Sequence, residues 1–278
     1  MLGSIKFEIA FFLNSLGLLP SRYKDKFLEL RKGRSTFLQK VRNTFTVRAL
    51  EKKLFESKEL KFSSGGYWYL DPMPTKEELA NYYSTVYWNE RGDKQCFLKL
   101  RDVHHFKDIM KITGHMDSSF VFLNFGSGHG GVSHLVHAKG ASVVNIEPSD
   151  ADAVYGERWA CFGTIEEYLE SDGAKPVDFL YSSHSIEHVH DIELFLELVK
   201  KVTRSGATLM FETPNCASQA AFAGGVDGRI HIPHTYYFRK EFFTTFFSDA
   251  RIIYLHNNEE VSAEEDSDSI KVICSIDK

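Results

Sequence analysis

Cysteine is scarce in this sequence, and the few cysteines lie far apart. The four are Cys96, Cys161, Cys216 and Cys274, and no two of them form a C-x-x-C pair. Their spacing therefore predicts neither a zinc site nor a dithiol redox motif. Because thiols stay reduced in the cytosol, a few scattered cysteines favour a cytoplasmic protein.

Long apolar runs are lacking as well. The apolar stretch at residues 7–19 is interrupted by Glu8 and Asn14, and it is shorter than the roughly 20 residues that a membrane span needs. It has neither the basic beginning nor the small-residue cleavage site of a secretory signal peptide. We therefore predict no membrane-spanning helix and no signal peptide.

An overall positive charge is also missing. The formal net charge is −5 and the sequence pI is about 6.2, so no nucleic-acid partner is predicted. Residues 22–53 are an exception, with eleven Lys or Arg against three acidic residues. Such a segment forms a solvated helix face or makes a peripheral contact with an anionic membrane surface, and both interpretations stay open.

Apolar strand-like runs alternate regularly with amphipathic helical segments along most of the chain. The length of 278 residues and the hydrophobic content of 43% are enough for one sizeable core and an accessory segment. We predict an α/β fold with a doubly wound, mostly parallel, seven-stranded sheet that ends in an antiparallel hairpin. Because residues 1 to about 60 have helical spacing, we divide the chain into an N-terminal helical accessory segment, residues 1–94, and an α/β domain, residues 95–278.

A glycine-rich turn is the most informative feature of the α/β domain. A buried strand at residues 120–125 runs into glycines at positions 126, 128, 130 and 131. Glycine lets the backbone turn sharply and approach a ligand closely, and the helix that follows presents unpaired N–H groups. A second strand ends at Glu147, whose carboxylate can accept both hydroxyls of a ribose. The order of these elements predicts a nucleotide site, and because the glycines satisfy G-x-G-x-x-G, an NAD-dependent oxidoreductase is one interpretation.

Two groups of histidines follow later strands. Residues 182–190 read Ser-Ser-His-Ser-Ile-Glu-His-Val-His, and residues 231–238 contain His231 and His234. In open α/β sheets the carboxyl ends of the strands surround the ligand, so both groups are expected at the nucleotide site. A histidine beside a carboxylate is a natural general base near neutral pH.

The run from His184 to His188 also matches H-x-x-E-H, a pattern of one class of zinc peptidases. That chemistry needs a helix that places both histidines on one face, whereas here the run begins at a strand end. We predict no metal centre, although a metal held by His184, Glu187, His188 or His190 stays an open alternative.

With these motifs assembled, the chain resembles class I S-adenosylmethionine-dependent methyltransferases, in the broad family that includes ubiquinone-pathway O-methyltransferases and sugar methyltransferases of antibiotic and surface-polysaccharide pathways. The family's first motif corresponds to residues 122–130, its ribose acid to Glu147, and its Leu-Glu-His to residues 186–188. Pro214-Asn215 and the run from His234 to Tyr237 match later motifs. Asn124 stands where the family usually has Asp, and Ser127 where Cys is common.

The resemblance implies a Rossmann-like domain that binds S-adenosylmethionine and transfers its methyl group to a small-molecule or glycan acceptor. A hydroxyl of a sugar or polysaccharide precursor is the acceptor that the family favours. His188 would be the first candidate for the base and His234 the second, with Glu187 orienting one of them. The residues implied in cofactor binding are Tyr83, Tyr87, Phe125, Gly126, Ser127, Gly128, Gly130, Glu147, Pro148, Thr164, Ile165, Ser183 and His184. A relative that binds cofactor without catalysis is the remaining alternative.

Overall fold

The fold was analysed in a computed structural model, which describes residues 58–82, 98–148, 160–217 and 234–276, with side chains up to residue 79 in the first range. Nearly all of them belong to one compact unit, residues 57–80 and 96–278. The basic segment at residues 22–53, and Tyr83 and Tyr87, lie outside the described residues. The division of the chain at residue 94 therefore stays a prediction.

In the described part of the chain, the main sheet of this unit has eight strands. In chain order they are β3 (Val121–Phe125), β4 (Ser142–Ile146), β5 (Ala160–Phe162), β6 (Val177–Ser183), β7 (Thr203–Pro214), β9 (Ser248–His256), β10 (Glu259–Val261) and β11 (Ser269–Ser275). Their spatial order is β10-β9-β11-β7-β6-β3-β4-β5. The neighbouring strands β7, β6, β3, β4 and β5 pair in parallel. Strand β11 pairs antiparallel with β7 and with β9, and β9 pairs antiparallel with β10. The predicted mostly parallel sheet with an antiparallel end is confirmed.

Helices cover both faces of this sheet. They are α2 (Leu100–Thr113), α3 (Gly131–His137), α4 (Ile165–Glu170), α5 (Ile192–Val202) and α6 (Lys240–Phe246). Successive residues of a strand point to opposite faces, so the neighbours Phe122 and Leu123 fall in different buried clusters. Phe122 packs with Ile109 of α2, whereas Leu123 belongs to the cluster that contains Phe195 of α5. Two apolar clusters on opposite faces make the fold doubly wound.

A second, three-stranded sheet contains β1 (Glu59–Ser63), β2 (Tyr67–Asp71) and β8 (Tyr236–Phe238), in the order β1-β2-β8. It is followed in the chain, after β2, by α1 (Lys76–Tyr82). The side chains of Thr75 and Glu78 each accept a hydrogen bond from the other residue's backbone N–H, at 3.1 and 2.7 Å. This reciprocal capping box fixes the start of α1.

Two details of the predicted fold are wrong. The main sheet has eight strands rather than seven, because Asn257 and Asn258 adopt positive φ angles of 53° and 68° and turn the chain into the short β10. Residues 59 and 60, at the end of the stretch predicted as helical, lie in β1 because that segment pairs with β2. The rest of the predicted helical segment, residues 1–57, lies outside the described residues.

Candidate functional site

The glycine-rich loop connects β3 to α3 and bends back onto β4. Gly126, Gly128 and Gly130 have φ angles of 70°, 53° and 65°, a region that other residues enter at a cost. The backbone N–H groups of Gly126 and Ser127 both donate to the carbonyl of Ile146, at 2.8 and 3.2 Å. The positions predicted as a tight turn therefore form one, held at the carboxyl end of β4.

Glu147 is buried beside this loop. Its Oε2 accepts a hydrogen bond from the N–H of Gly128 across 2.8 Å, and its own backbone N–H donates to the carbonyl of Phe162 at the end of β5. Pro148 follows it and is exposed. The carboxylate thus lies between the glycine loop and the end of β5, where the sequence places a ribose acceptor.

The segment expected to contact adenine follows β5. The hydroxyl of Thr164 accepts from the N–H of Glu167 at 3.2 Å and caps α4. Ile165 is 2% exposed and packs into the core. Its side chain therefore packs in the core, so the predicted contact of Ile165 with the cofactor would be made by its backbone.

Asn124, the residue that departs from the family motif, is 3% exposed at the end of β3. Its amide donates to the hydroxyl of Ser133 at 2.8 Å, and that hydroxyl donates to Oδ1 of Asn145 at 2.7 Å. The three neutral side chains join β3, α3 and β4 beneath the glycine loop. Asn124 therefore fixes the helix that follows the loop.

The loop after β6 lies directly against the glycine loop. The hydroxyl of Ser185 is 3.4 Å from the carbonyl oxygen of Gly126 and 3.2 Å from that of Ser183. A Cβ added at position 126 would overlap with the Ser185 side chain. The histidine group that begins at His184 is therefore next to the predicted nucleotide site, as the strand-end argument expects. Phe125, in contrast, packs against Phe195 with ring centroids 5.0 Å apart.

His188 and His234 meet at this place. Their ring centroids are 4.8 Å apart in an edge-to-face arrangement. Thr235 ties the two segments together, because its N–H donates to the carbonyl of Glu187 at 2.8 Å and its hydroxyl is 2.7 Å from the carbonyl of Val189. Both predicted base candidates therefore belong to one cluster, with Glu187 1% exposed beside them.

His184 lies between two buried carboxylates. Its Nδ1 is 3.4 Å from Oε1 of Glu187, and its Nε2 is 3.4 Å from Oε1 of Glu212. Burial alone would lower the pKa of His184, but the two carboxylates outweigh it and raise that pKa to about 9. Burial would likewise raise the pKa of Glu187, but the contact with His184 and the nearby His188 lower it to about 2.

Glu212 belongs to a buried polar chain. Its Oε2 is 2.6 Å from Nε2 of His105, and Nδ1 of His105 is 2.5 Å from the hydroxyl of Tyr181. His105 and Glu212 are each 1% exposed. Burial opposes ionisation of Glu212, yet the contacts with His105 and His184 hold its pKa well below the usual range. Sequence reasoning missed this chain, although Glu212 at a strand end was a visible signal.

Glu187, His188 and His234 place one possible ligand atom each within 4.8 Å of one another. A metal ion there would share the Glu187 carboxylate with His184. The residues 184–188 do not form the helix that the H-x-x-E-H chemistry requires, because His184 has a φ of 52° and only residues 186–188 form a single 3-10 turn. The absence of a metal centre stays a prediction.

Comparison with known proteins decides the family. The profile of the methyltransferase domain family matches residues 99–250, more than half of the chain. The chain belongs to the methyltransferase domain family. The matched range contains the glycine loop, Glu147 and the histidine pair, so the site described above lies within the methyltransferase domain.

One solved structure supports this domain's fold, and two others are similar to the chain at lower TM-scores. A SAM-dependent methyltransferase from Archaeoglobus fulgidus matches with a TM-score of 0.50 and 18% identity, over 72% of this chain and 100% of its own. Geranyl diphosphate C-methyltransferase from Streptomyces coelicolor A3(2) matches at 13% identity over 63% and 79%, with a TM-score of 0.48. The N-methyltransferase NodS from Bradyrhizobium japonicum matches at 12% identity over 64% and 97%, with a TM-score of 0.45. A search of curated proteins finds no match.

These findings confirm the predicted class I methyltransferase and favour it over the NAD-dependent alternative. The predicted cofactor agrees with the methyl donor named for the Archaeoglobus protein. Within the described part of the chain, no helix has the length and apolar character that crossing a membrane requires.

Proposed function

We propose that this methyltransferase domain transfers the methyl group of S-adenosylmethionine to a hydroxyl of a sugar or polysaccharide precursor. The observation that carries the proposal is that the glycine loop and the loop that bears His188 lie next to each other at one edge of the sheet. The glycine loop is bonded to Glu147, and the loop that bears His188 lies against Gly126 through Ser185. A nucleoside cradle and a basic group are thus neighbours.

The residues of the cradle suit the cofactor. Gly126, Gly128 and Gly130 turn the backbone in positive φ conformations, and glycine has no Cβ that would hold a ligand away from the backbone. Glu147 accepts the N–H of Gly128, and a carboxylate has about four acceptor positions, so it can accept several donors at once, as binding both hydroxyls of a ribose requires. Ser127, Pro148, Thr164, Ser183 and the backbone of Ile165 complete the proposed contacts.

The bound cofactor supplies a methyl group on a positively charged sulfur, which leaves as a neutral thioether. The protein therefore has no leaving group to protonate, and its task is to align the acceptor and remove one proton. His188 is partly exposed and would take that proton from the acceptor hydroxyl. His234, 4.8 Å away between ring centroids, is the second candidate. Glu187 would orient His188 and stabilise its protonated form.

The acceptor class rests on the family resemblance together with the histidine pair, since a sugar hydroxyl needs a base to become a nucleophile. Tyr83 and Tyr87 are proposed to close over the cofactor. We also propose that the protein is cytoplasmic and that the chain divides into two parts at residue 94. Residues 22–53 would make a peripheral contact with a membrane.

The experiment is a methyl-transfer assay with purified protein, S-adenosylmethionine and a panel of acceptors: nucleotide sugars, free sugars, phenols, carboxylic acids and amines. We expect the demethylated cofactor to accumulate with nucleotide sugars, and mass spectrometry to locate the new methyl group on oxygen. Turnover with amines alone would replace the acceptor class. The matched control is the His188→Ala, His234→Ala double variant, which should bind cofactor and fail to transfer methyl.

A further inference from the structure

The buried polar chain extends from α2 across β6 and β7 to the proposed methyl-transfer site. It alternates between acidic and basic groups in the order Tyr181, His105, Glu212, His184, Glu187. Four of these five residues are less than 5% exposed, and only the ring of His184, with 35% of its side chain exposed, reaches solvent. A chain of this kind links the protonation of its members.

The chemistry of the partners places most of the hydrogens. An ionised carboxylate can only accept, so Nε2 of His105 carries a hydrogen and donates it to Glu212 across 2.6 Å. Nδ1 of His105 can then accept the hydroxyl hydrogen of Tyr181. This arrangement satisfies His105 without a buried positive charge, and it leaves the second oxygen of Glu212 directed at His184.

His184 differs from His105 in one respect. Both of its ring nitrogens face carboxylate oxygens, those of Glu187 and Glu212, at 3.4 Å each. Because an ionised carboxylate has no hydrogen to give, a hydrogen on each ring nitrogen makes both of these contacts attractive. The arrangement therefore suits an imidazolium ring, and it does not suit a general base.

We propose that Glu212, oriented by His105 and Tyr181, is a positioning residue that fixes His184 as a permanent cation. The positive charge of His184 offsets the negative charge of Glu187. Glu187 can then orient the His188 ring without holding the His188 proton too tightly. The pKa directions of His184, Glu187 and Glu212 agree with this assignment. The consequence for catalysis rests on the proposed function, whereas the charge of His184 does not.

The charged and titratable groups that face this chain come from every element packed against it. They are Arg101, Asp102 and His105 from α2, Tyr181 from β6, Glu212 from β7, Cys216 after β7, and Glu187, His188 and His234 from the two loops. Among these described groups, Glu212 and Glu187 form the ion pairs with His184. Removing the charge of Glu212 is therefore the most direct perturbation.

The test is a histidine side-chain NMR titration of the full chain, labelled with ¹⁵N on histidine, with the His184 signal assigned by its loss in His184→Gln. We expect both ring nitrogens of His184 to stay protonated from pH 5 to about pH 8. In the isosteric variant Glu212→Gln, the midpoint should fall by about one pH unit or more, because one of two opposite charges is lost. A neutral His184 at pH 7 in the wild type overturns the proposal, as does an unchanged midpoint in Glu212→Gln.

One further variant serves as a control for this test. Tyr181→Phe keeps the packing and removes only the hydroxyl that His105 contacts, so it should lower the His184 midpoint by less than Glu212→Gln does. If Glu212→Gln does not fold, the wild-type titration and Tyr181→Phe still decide. Once an acceptor is known, the acid limb of the pH–rate profile should move to higher pH in His184→Gln, since Glu187 without this cation would hold the His188 proton more tightly. Failure to bind S-adenosylmethionine would sink the proposed function and leave the NMR result unaffected.

Discussion

The backbone N–H of Gly128 donates a hydrogen bond to Oε2 of Glu147 across 2.8 Å, which joins the loop after β3 to the residue after β4. The two strands are parallel neighbours in the sheet, so their carboxyl ends lie side by side. The carboxylate therefore fixes the loop, and we propose that it also binds a ribose. A change in either residue is expected to affect both the local structure and cofactor binding.

Substitution of the loop glycine Gly126 by Ala should be destabilising for two separable reasons. The φ of 70° costs a residue with a Cβ about 1–2 kcal/mol, and the Cβ would overlap with Ser185. The matched control is Gly206→Ala, which has a φ of 72° and no atom within 4 Å of the added Cβ. We expect the larger fall in thermal midpoint, together with weaker cofactor binding, in Gly126→Ala. Equal losses in the two variants would remove any role for the Ser185 contact.

Restoring the family's usual acid with Asn124→Asp should lower stability. At 3% exposure, the new carboxylate would be buried among neutral groups, and it could no longer donate to Ser133. Loss of such a donor costs about 1–3 kcal/mol, which corresponds to a fall in thermal midpoint of several degrees. Ser133→Ala is the control, since it breaks the same network without adding charge and should cost less. A variant as stable as the wild type would contradict the described network.

The histidine pair should matter for turnover and not for cofactor affinity. We expect His188→Ala to lower kcat by about 100-fold to 10,000-fold, the usual contribution of a general base, and His234→Ala to lower it less. Calorimetry should give the same affinity for S-adenosylmethionine in both variants. His190→Ala, two positions beyond His188, is the matched control and should keep its activity.

A chelator provides a second check on the same pair. Activity that persists after dialysis against EDTA is the expected result for an acid–base group. Loss of activity that Mn²⁺ or Zn²⁺ restores would instead make Glu187, His188 and His234 a metal-binding group and contradict their assigned roles.

The stability of the folded protein should depend on pH through His184 and Glu187. The pKa of His184 is raised from 6.5 to about 9, so its contribution is complete below pH 6.5 and is lost as the pH rises through 9. The pKa of Glu187 is lowered from 4.5 to about 2, so its contribution is complete above pH 4.5 and is lost as the pH falls through 2. Thermal midpoints measured from pH 5 to pH 10 should fall on the alkaline side, and less steeply in Glu212→Gln. The same alkaline slope in both proteins would contradict this account.

The sequence was sufficient for the elements whose pattern is local. The strand before Gly126, the helix after it and the strand that ends at Glu147 each have a continuous apolar or amphipathic pattern, and the structure places all three as expected. Strand-end reasoning also brought His188 and His234 to one site, because parallel strands end at a common edge.

Other features depend on contacts between distant positions. His105 is a single histidine on α2, and nothing near it in the sequence indicates that it meets Glu212, 107 positions later. The strands β8 and β10 have three residues each, which is too short to show an alternating apolar pattern. They form because β8 pairs with β2 and β10 pairs with β9. The sequence pattern also did not show that the apolar side chain of Ile165 turns into the core at the first turn of α4.

The central claim is that the glycine loop and Glu147 bind S-adenosylmethionine, and calorimetric titration tests it most directly. Wild type, Glu147→Gln and Glu147→Ala should each be titrated with S-adenosylmethionine and with its demethylated product. We predict wild-type dissociation constants on the order of micromolar, weaker binding in Glu147→Gln, which can still accept from Gly128, and no measurable binding in Glu147→Ala. Folded wild-type protein that binds neither compound, or a Glu147→Ala variant that binds as tightly as the wild type, would contradict the account.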